Sequence, residues 1–213
     1  MLNIESLLSN VKDCAICEKH LPHGVRPILQ VNPNAKILIA GQAPGRKVHE
    51  SGVPFDDASG DRLRDWMGVS KETFYDSNKI AILPMGFCYP GKGKNGDLPP
   101  RPECEPAWRE QLLEQLPNIK LVLVLGKYAQ TYHFGKTSSS LTDLVKSWET
   151  YWPSKVPLPH PSPRNNIWLS KNSWFEKDLI PGVYPGVPFE NWHCSYCPYY
   201  NICPSTLRDK KKK

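Results

Sequence analysis

Residues 36–45 constrain the fold more than any other stretch. Lys36-Ile37-Leu38-Ile39-Ala40 runs without a break into Gly41-Gln42-Ala43-Pro44-Gly45. Consecutive apolar side chains leave no polar face, so the first half suits a short strand covered on both sides. Ile80-Ala81-Ile82-Leu83, Lys120 to Leu125 and Val156-Pro157-Leu158 read the same way. Between them, helical spacing marks residues 3–12, 60–67, 71–76, 106–115, 127–133, 141–152 and 171–179. Short apolar strands alternating with helices predict an α/β fold, a three-layer αβα sandwich about a mostly parallel four-stranded sheet. In such sheets a ligand sits outside the carboxyl ends of the strands. The Gly41 loop and the Leu158-Pro159-His160-Pro161-Ser162-Pro163 loop both leave strand ends, so they are expected to converge on one site.

The chain has 213 residues, enough for one well-buried domain and a small appendage. The domain is expected over residues 1–183. After about Pro181 the composition shifts to Gly, Pro, aromatic residues and Cys, marking an appendage at 184–209 before a basic tail at 210–213. The net charge is +6, of which Lys210 to Lys213 supply four. Charge alone therefore does not establish a nucleic-acid partner; the tail is either a solvated end or an anchor for phosphates. No apolar run reaches the length of a membrane span, and Met1 to Glu5 does not read as a signal peptide. A monomeric cytoplasmic protein without membrane contact is expected.

Cys14 and Cys17 form a C-x2-C pair, with Cys88 and Cys104 far downstream. Disulfides do not suit a chain without a secretion signal. Four thiolates suit a tetrahedral zinc ion or a 4Fe–4S cluster, and spacing alone leaves the two even. Unliganded buried thiols are the remaining alternative.

Three segments resemble a known family. Gly41-Gln42-Ala43-Pro44-Gly45 resembles the first motif of the uracil-DNA glycosylase superfamily. Val53-Pro54-Phe55-Asp56-Asp57-Ala58-Ser59-Gly60 looks like the segment that follows it, and His160-Pro161-Ser162-Pro163 looks like its second motif. The four cysteines are similar in arrangement to those of the cluster-bearing branch. The resemblance covers roughly residues 1–180. It implies a uracil-DNA glycosylase-like fold, a 4Fe–4S cluster on Cys14, Cys17, Cys88 and Cys104, and DNA as partner, double- or single-stranded with an altered base. It also implies a monofunctional DNA glycosylase of DNA repair that flips out a pyrimidine, uracil by default, and hydrolyses the sugar–base bond to leave an abasic site.

The resemblance assigns roles to single residues. Extruding a nucleotide costs a few kcal/mol, and Phe55 is the candidate for stacking the flipped base. Gly41, Ala43 and Gly86 complete the base-binding set. Asp57 is the candidate for orienting or activating the water, although Asp56 and Asp61 are close by and a plain helix-cap role for Asp57 is the bland alternative. Gln42 stands where other branches carry an acid; it can hold a water but cannot act as a base. His160 is the candidate electrophile for negative charge on the leaving base. Pro44, Gly45, Lys47, Ser162, Arg164 and Asn165 are DNA-binding candidates, with Lys47 and His49 placed on a loop after the first motif and Arg164 where relatives present an apolar wedge.

Two features depart from the family pattern. Cluster-containing relatives read uracil with an asparagine four residues before the third cysteine, and here that place is Pro84, which has no side-chain donor. Small Gly86 suggests room for a bulky base. An alternative function follows: excision of bulky modified cytosines from phage DNA as antiviral defence, or a non-catalytic module that binds modified DNA. The second departure is at the end of the chain, where His193, Cys194, Cys197 and Cys203 resemble the terminal cluster motif of iron–sulfur nucleases. They form a second candidate metal site, for zinc or iron–sulfur, or else an appended piece with no chemistry, without any nuclease core to accompany it.

Overall fold

The computed structural model describes residues 3–94, 96–136 and 138–180. Four strands form one sheet: β1 (Ile37–Ala40), β2 (Ile80–Ile82), β5 (Leu121–Leu125) and β6 (Lys155–Leu158). Their order is β2-β1-β5-β6, and every pairing is parallel. A two-residue antiparallel hairpin, β3 (Lys92–Gly93) and β4 (Gly96–Asp97), stands apart from it.

Strand side chains alternate between two covered faces. Ile37, Ile39, Ile80, Ile82, Leu121, Leu123 and Leu125 pack on one side. There they meet α3 (Ala58–Met67) through Leu63 and Trp66, α4 (Lys71–Tyr75) through Phe74, α7 (Leu141–Lys146) through Val145, and α8 (Asn166–Lys171) through Leu169. On the other side Leu38 and Ala81 meet Leu7 and Val11 of α1 (Ile4–Lys12) and Leu112 of α5 (Glu110–Glu114). Ala40 and Val124 meet Ala129 of α6 (Gly126–Phe134) on that same side. The architecture is thus the expected three-layer αβα sandwich, with strands buried on both faces because they carry no polar alternation.

Three helix expectations change. Residues 46–51, expected as loop, form α2 (Arg46–Ser51), started by Gly45 and ended by left-handed Gly52. The expected helix over 141–152 stops at Lys146. Ser147 turns its hydroxyl onto the Leu144 carbonyl at 3.0 Å, and only a 3-10 turn, Trp148–Thr150, follows. The expected last helix over 171–179 begins earlier, as α8, and ends at Asn172, whose amide donates to the Trp168 carbonyl at 2.8 Å. A separate turn at Phe175–Leu179 then caps the core. No helix of the described residues is long and apolar enough to cross a membrane. The appendage, the basic tail and the second candidate metal site at His193, Cys194, Cys197 and Cys203 lie outside the described residues.

Candidate functional site

The connection after β1 packs helices on one face of the sheet, and the connection after β5 begins with α6 on the other. Adjacent strands whose connections diverge open a crevice at their carboxyl ends. A cleft of about 470 Å³ lies there, lined by Gly41, Gln42, Ala43, Pro44, Gly45, Lys47, Phe55, Asp57, His160, Ser162, Arg164 and Asn165. The two loops expected to converge do so.

The Gly41 loop continues the sheet. Met85 N–H donates to the Gly41 carbonyl at 2.9 Å and Gly86 N–H to the Gln42 carbonyl at 2.8 Å. Gly41 turns its α-carbon to the Phe55 ring, where a Cβ would sit 3.4 Å from Cζ. Phe55 itself is left-handed, with φ of 55°, a conformation a bulky L-residue holds only when its surroundings fix it. Gly60 is part of what fixes it: a Cβ there would fall 1.7 Å from the Phe55 carbonyl oxygen. The Phe55 ring also meets Phe74 edge-on at 6.1 Å.

Asp57 caps α3, its Oδ1 accepting from Ser59 N–H at 2.9 Å and Gly60 N–H at 3.0 Å. Its Oδ2 lies 3.8 Å from where a Gly45 Cβ would stand, and both residues line the cleft. Cap and cleft-lining carboxylate are therefore one residue. Neither Asp56 nor Asp61 lines the cleft: Asp56 approaches Lys71 at 3.8 Å and Asp61 pairs with Arg64 at 2.5 Å.

His160 is oriented by its own loop. Its Nδ1 accepts the Ser162 N–H at 3.2 Å, which makes Nε2 the protonated nitrogen of the neutral ring. Burial lowers the imidazole pKa, and the charges of Asp57 and Asp97 oppose that shift only in part. The ring is therefore neutral at pH 7. Arg62 of α3, which the sequence did not single out, donates from Nη1 to the Pro161 and Ser162 carbonyls, each at 3.2 Å, and from Nη2 to Asn166 Oδ1 at 2.8 Å. It ties the His160 loop to the helix that Asp57 caps.

Lys47, Arg164 and Asn165 line the cleft, whereas Gly86 and His49 do not. Gly86 lines no part of the cleft: a Cβ there would meet Pro100 Cβ at 2.9 Å, so proline fills the space expected for a bulky base. The Asn165 amide is engaged within the protein, donating to the His160 carbonyl at 2.6 Å. Lys47 lines the cleft from α2, not from a loop, and His49 of α2 turns away to the His23 carbonyl at 3.1 Å. Arg164 lies over the β3–β4 hairpin, its guanidinium packed on Gly96, whose φ of 139° favours glycine.

Pro84 lines the cleft, and fully buried Arg109 holds its segment. Nη1 donates to the Leu83 carbonyl at 3.1 Å and the Pro84 carbonyl at 2.9 Å. Nη2 lies 3.0 Å from His133 Nε2. Burial first, then the Arg109 charge, lowers the His133 pKa to about 3, so the ring is a neutral acceptor for that donor.

Cys14, Cys17, Cys88 and Cys104 are unpaired thiols, three of them buried. Each lies within electrostatic reach of the others. Among the described residues no group of three or more His, Cys, Asp or Glu is gathered as ligands of a single ion. A four-iron cluster takes one thiolate per iron and spaces its ligands more widely than one ion does. The donor set fits such a group in its chemistry. Burial pushes the Cys88 thiol up to about 11 and the Cys104 thiol up to about 12, so a bound cationic centre is needed to hold them as thiolates. The Trp108 indole N–H is already directed at Cys14 Sγ, 3.2 Å away.

Residues 29–182 match the family model described as the Uracil DNA glycosylase superfamily. Among curated relatives, the Type-4 uracil-DNA glycosylase of Thermotoga maritima is 25% identical over 166 residues, covering 75% of this chain and 81% of that one. That of Archaeoglobus fulgidus is 25% identical over 151 residues, covering 68% and 71%. The match to the protein of the same name from Sulfurisphaera tokodaii, 24% identical over 118 residues, covers 54% of this chain and spans 50% of the relative's length.

Proposed function

The chain belongs to the uracil DNA glycosylase superfamily, and from that premise we propose that it is a monofunctional DNA glycosylase that flips an altered pyrimidine out of DNA and hydrolyses its bond to the sugar. The observation that carries this reading is the neutral His160 imidazole facing the same cleft as the Phe55 ring and the Asp57 carboxylate.

Each residue has a part that its surroundings support. The Phe55 ring, fixed by Gly41 and Gly60, stacks the extruded base. The His160 Nε2–H donates to the base oxygen as the glycosidic bond breaks; such a donor, already aimed, commonly supplies several kcal/mol. Asp57 Oδ2 orients the attacking water while Oδ1 stays on the helix cap. The backbone at Pro44 and Gly45, with Lys47, Ser162 and Arg164 at the rim, grips phosphates. Asn165 acts from behind, through the His160 carbonyl.

The choice of base follows from the apolar part of the cleft lining. Ile82, Pro84 and Pro100 are apolar there, so the edge of the base is met by main-chain groups and the Gln42 amide rather than by a side chain at position 84. Uracil is the default substrate. A bulky 5-substituted cytosine has no opening at Gly86 and would have to extend toward the mouth of the cleft.

Cys14, Cys17, Cys88 and Cys104 hold a 4Fe–4S cluster in this reading. Bound there, the cluster acts as a cross-link, tying the segment after α1 to the segments at Cys88 and Cys104.

The test is release of abasic sites from single- and double-stranded DNA containing uracil, hypoxanthine or modified cytosines. Alkali-labile sites on an altered-pyrimidine substrate are expected. Intact binding without cleavage of any substrate would favour the non-catalytic DNA-binding module instead.

A further inference from the structure

A second carboxylate faces the candidate site. Asp97 ends the β3–β4 hairpin, lines the same cleft as Asp57, and is exposed. Asp57 Oδ2 and Asp97 Oδ2 each lie 3.8 Å from the point where a Gly45 side chain would begin, so the two oxygens are no more than about 7.6 Å apart. They are also the two carboxylates whose charge reaches the His160 ring.

The two are held differently. One oxygen of Asp57 is committed to two backbone N–H groups of α3. Asp97 forms no ion pair within 4.0 Å among the described residues. The hydroxyl of buried Tyr89 lies beside it. Among the described residues Asp97 caps no helix and pairs with no cation within 4.0 Å, and a carboxylate carried in this way on a short hairpin into a cleft does little for the fold. Placing two like charges beside one another is unfavourable for stability, which suits a site where positive charge develops. The sugar of a dissociating glycosidic bond is such a centre, since it passes through an oxocarbenium-like state.

We propose that Asp97 is a catalytic residue, the second carboxylate of the reaction, which together with Asp57 holds the attacking water and takes its proton. The inference rests on the glycosylase reading and deepens it. In the step, the sugar–base bond breaks and its electron pair leaves with the base, whose anion is held by the His160 Nε2–H. The water oxygen bonds to the sugar carbon. Its proton passes to the carboxylate pair and on to solvent, while the free base takes a proton from solvent. The products are the base and an abasic site.

The experiment compares single-turnover excision by the parent, D97N and Y89F on the substrate identified by abasic-site release, with DNA affinity and thermal melting measured alongside. D97N keeps an oxygen for the Tyr89 hydroxyl but loses the charge. It should slow excision by about 10²-fold, the lower end of what a positioned general base supplies, with affinity and melting at parental values. Y89F should slow it far less. An active parent with D97N at the same rate would overturn the inference alone, as would Y89F slowing excision as much as D97N, which would make the pair structural. A parent inert on every substrate would instead bring down the glycosylase reading, and this inference with it.

Discussion

Ser162 N–H donates to His160 Nδ1 at 3.2 Å, and this one bond decides which nitrogen of the ring carries the proton. With Nδ1 occupied as acceptor and burial holding the ring neutral, Nε2–H is the ring's remaining donor, the one that the proposed reaction directs at the leaving base. H160A should slow excision by about 10²- to 10³-fold, the range seen when one such donor is lost, while DNA affinity measured by filter binding changes little. Because the ring's pKa is lowered, the excision rate should also show no break at the ordinary histidine value near 6.5. Parental rates in H160A would mean that the electrophile is another group.

Arg62 provides a second test of the same loop. Its three hydrogen bonds to Pro161, Ser162 and Asn166 span from α3 to the second motif. R62A leaves every cleft-lining residue in place but frees the loop that aims His160. A net hydrogen bond is worth about 1 kcal/mol, somewhat more from a charged donor. The variant should therefore lose about 3 kcal/mol in urea unfolding and show slower excision with unchanged substrate affinity. Slower excision without any loss of stability would place Arg62 at the substrate instead.

Much of this site is legible in the sequence because two of its loops directly follow apolar strands. The runs at 37–40 and 155–158 fix where Gly41 and His160 stand, and a parallel sheet brings both to one edge. What stays hidden depends on contacts between distant segments. Asp97 lies in a Gly- and Pro-rich stretch with no periodicity, and only the folded hairpin carries it beside Asp57. Gly86 reads as open space until Pro100 is seen to fill it. Helix α2 has one buried apolar residue, Val48, so no stripe announces it. The end of α7 turns on the Ser147 hydroxyl, which competes for a helical carbonyl.

Gly60 allows a sharp test of the Phe55 conformation. Any side chain at position 60 would begin 1.7 Å from the Phe55 carbonyl oxygen, a backbone atom that cannot swing aside. G60A must therefore move either the start of α3 or the left-handed Phe55 turn. It should cost at least about 3 kcal/mol in chemical denaturation, beyond the ordinary range for a single substitution. A cost under 1 kcal/mol, read by the same measurement, would mean that the turn is not fixed as described.

His133 and His160 both contribute to the loss of stability on the acid side. Each has a folded pKa below the unfolded value of about 6.5, and for His133 it is about 3. The unfolded chain thus binds more protons than the folded one between those values, so stability falls as pH drops from about 6.5 toward 3. His133 is the more telling of the two because Arg109 and Lys155 both add positive charge beside it. H133Q keeps an acceptor for Arg109 Nη2 but cannot be protonated. Urea midpoints between pH 7 and 4 should fall less steeply in H133Q than in the parent; parallel curves would remove His133 as a contributor.

The cysteines give the last test, and its readout does not depend on enzymatic activity. If the four thiols hold a 4Fe–4S cluster, protein isolated without oxygen should carry about four irons and four sulfides per chain and absorb in the visible. Cys88 and Cys104 are buried and strongly disfavour ionisation by themselves, so C104S should lose iron and melt at a lower temperature than the parent. W108F removes only the indole N–H that points at Cys14 Sγ, 3.2 Å away, and should keep the iron but shift the reduction potential, because hydrogen bonds to cluster sulfurs tune it. Zinc at one equivalent and no iron, in anaerobically prepared protein, would replace the cluster with a single-ion site.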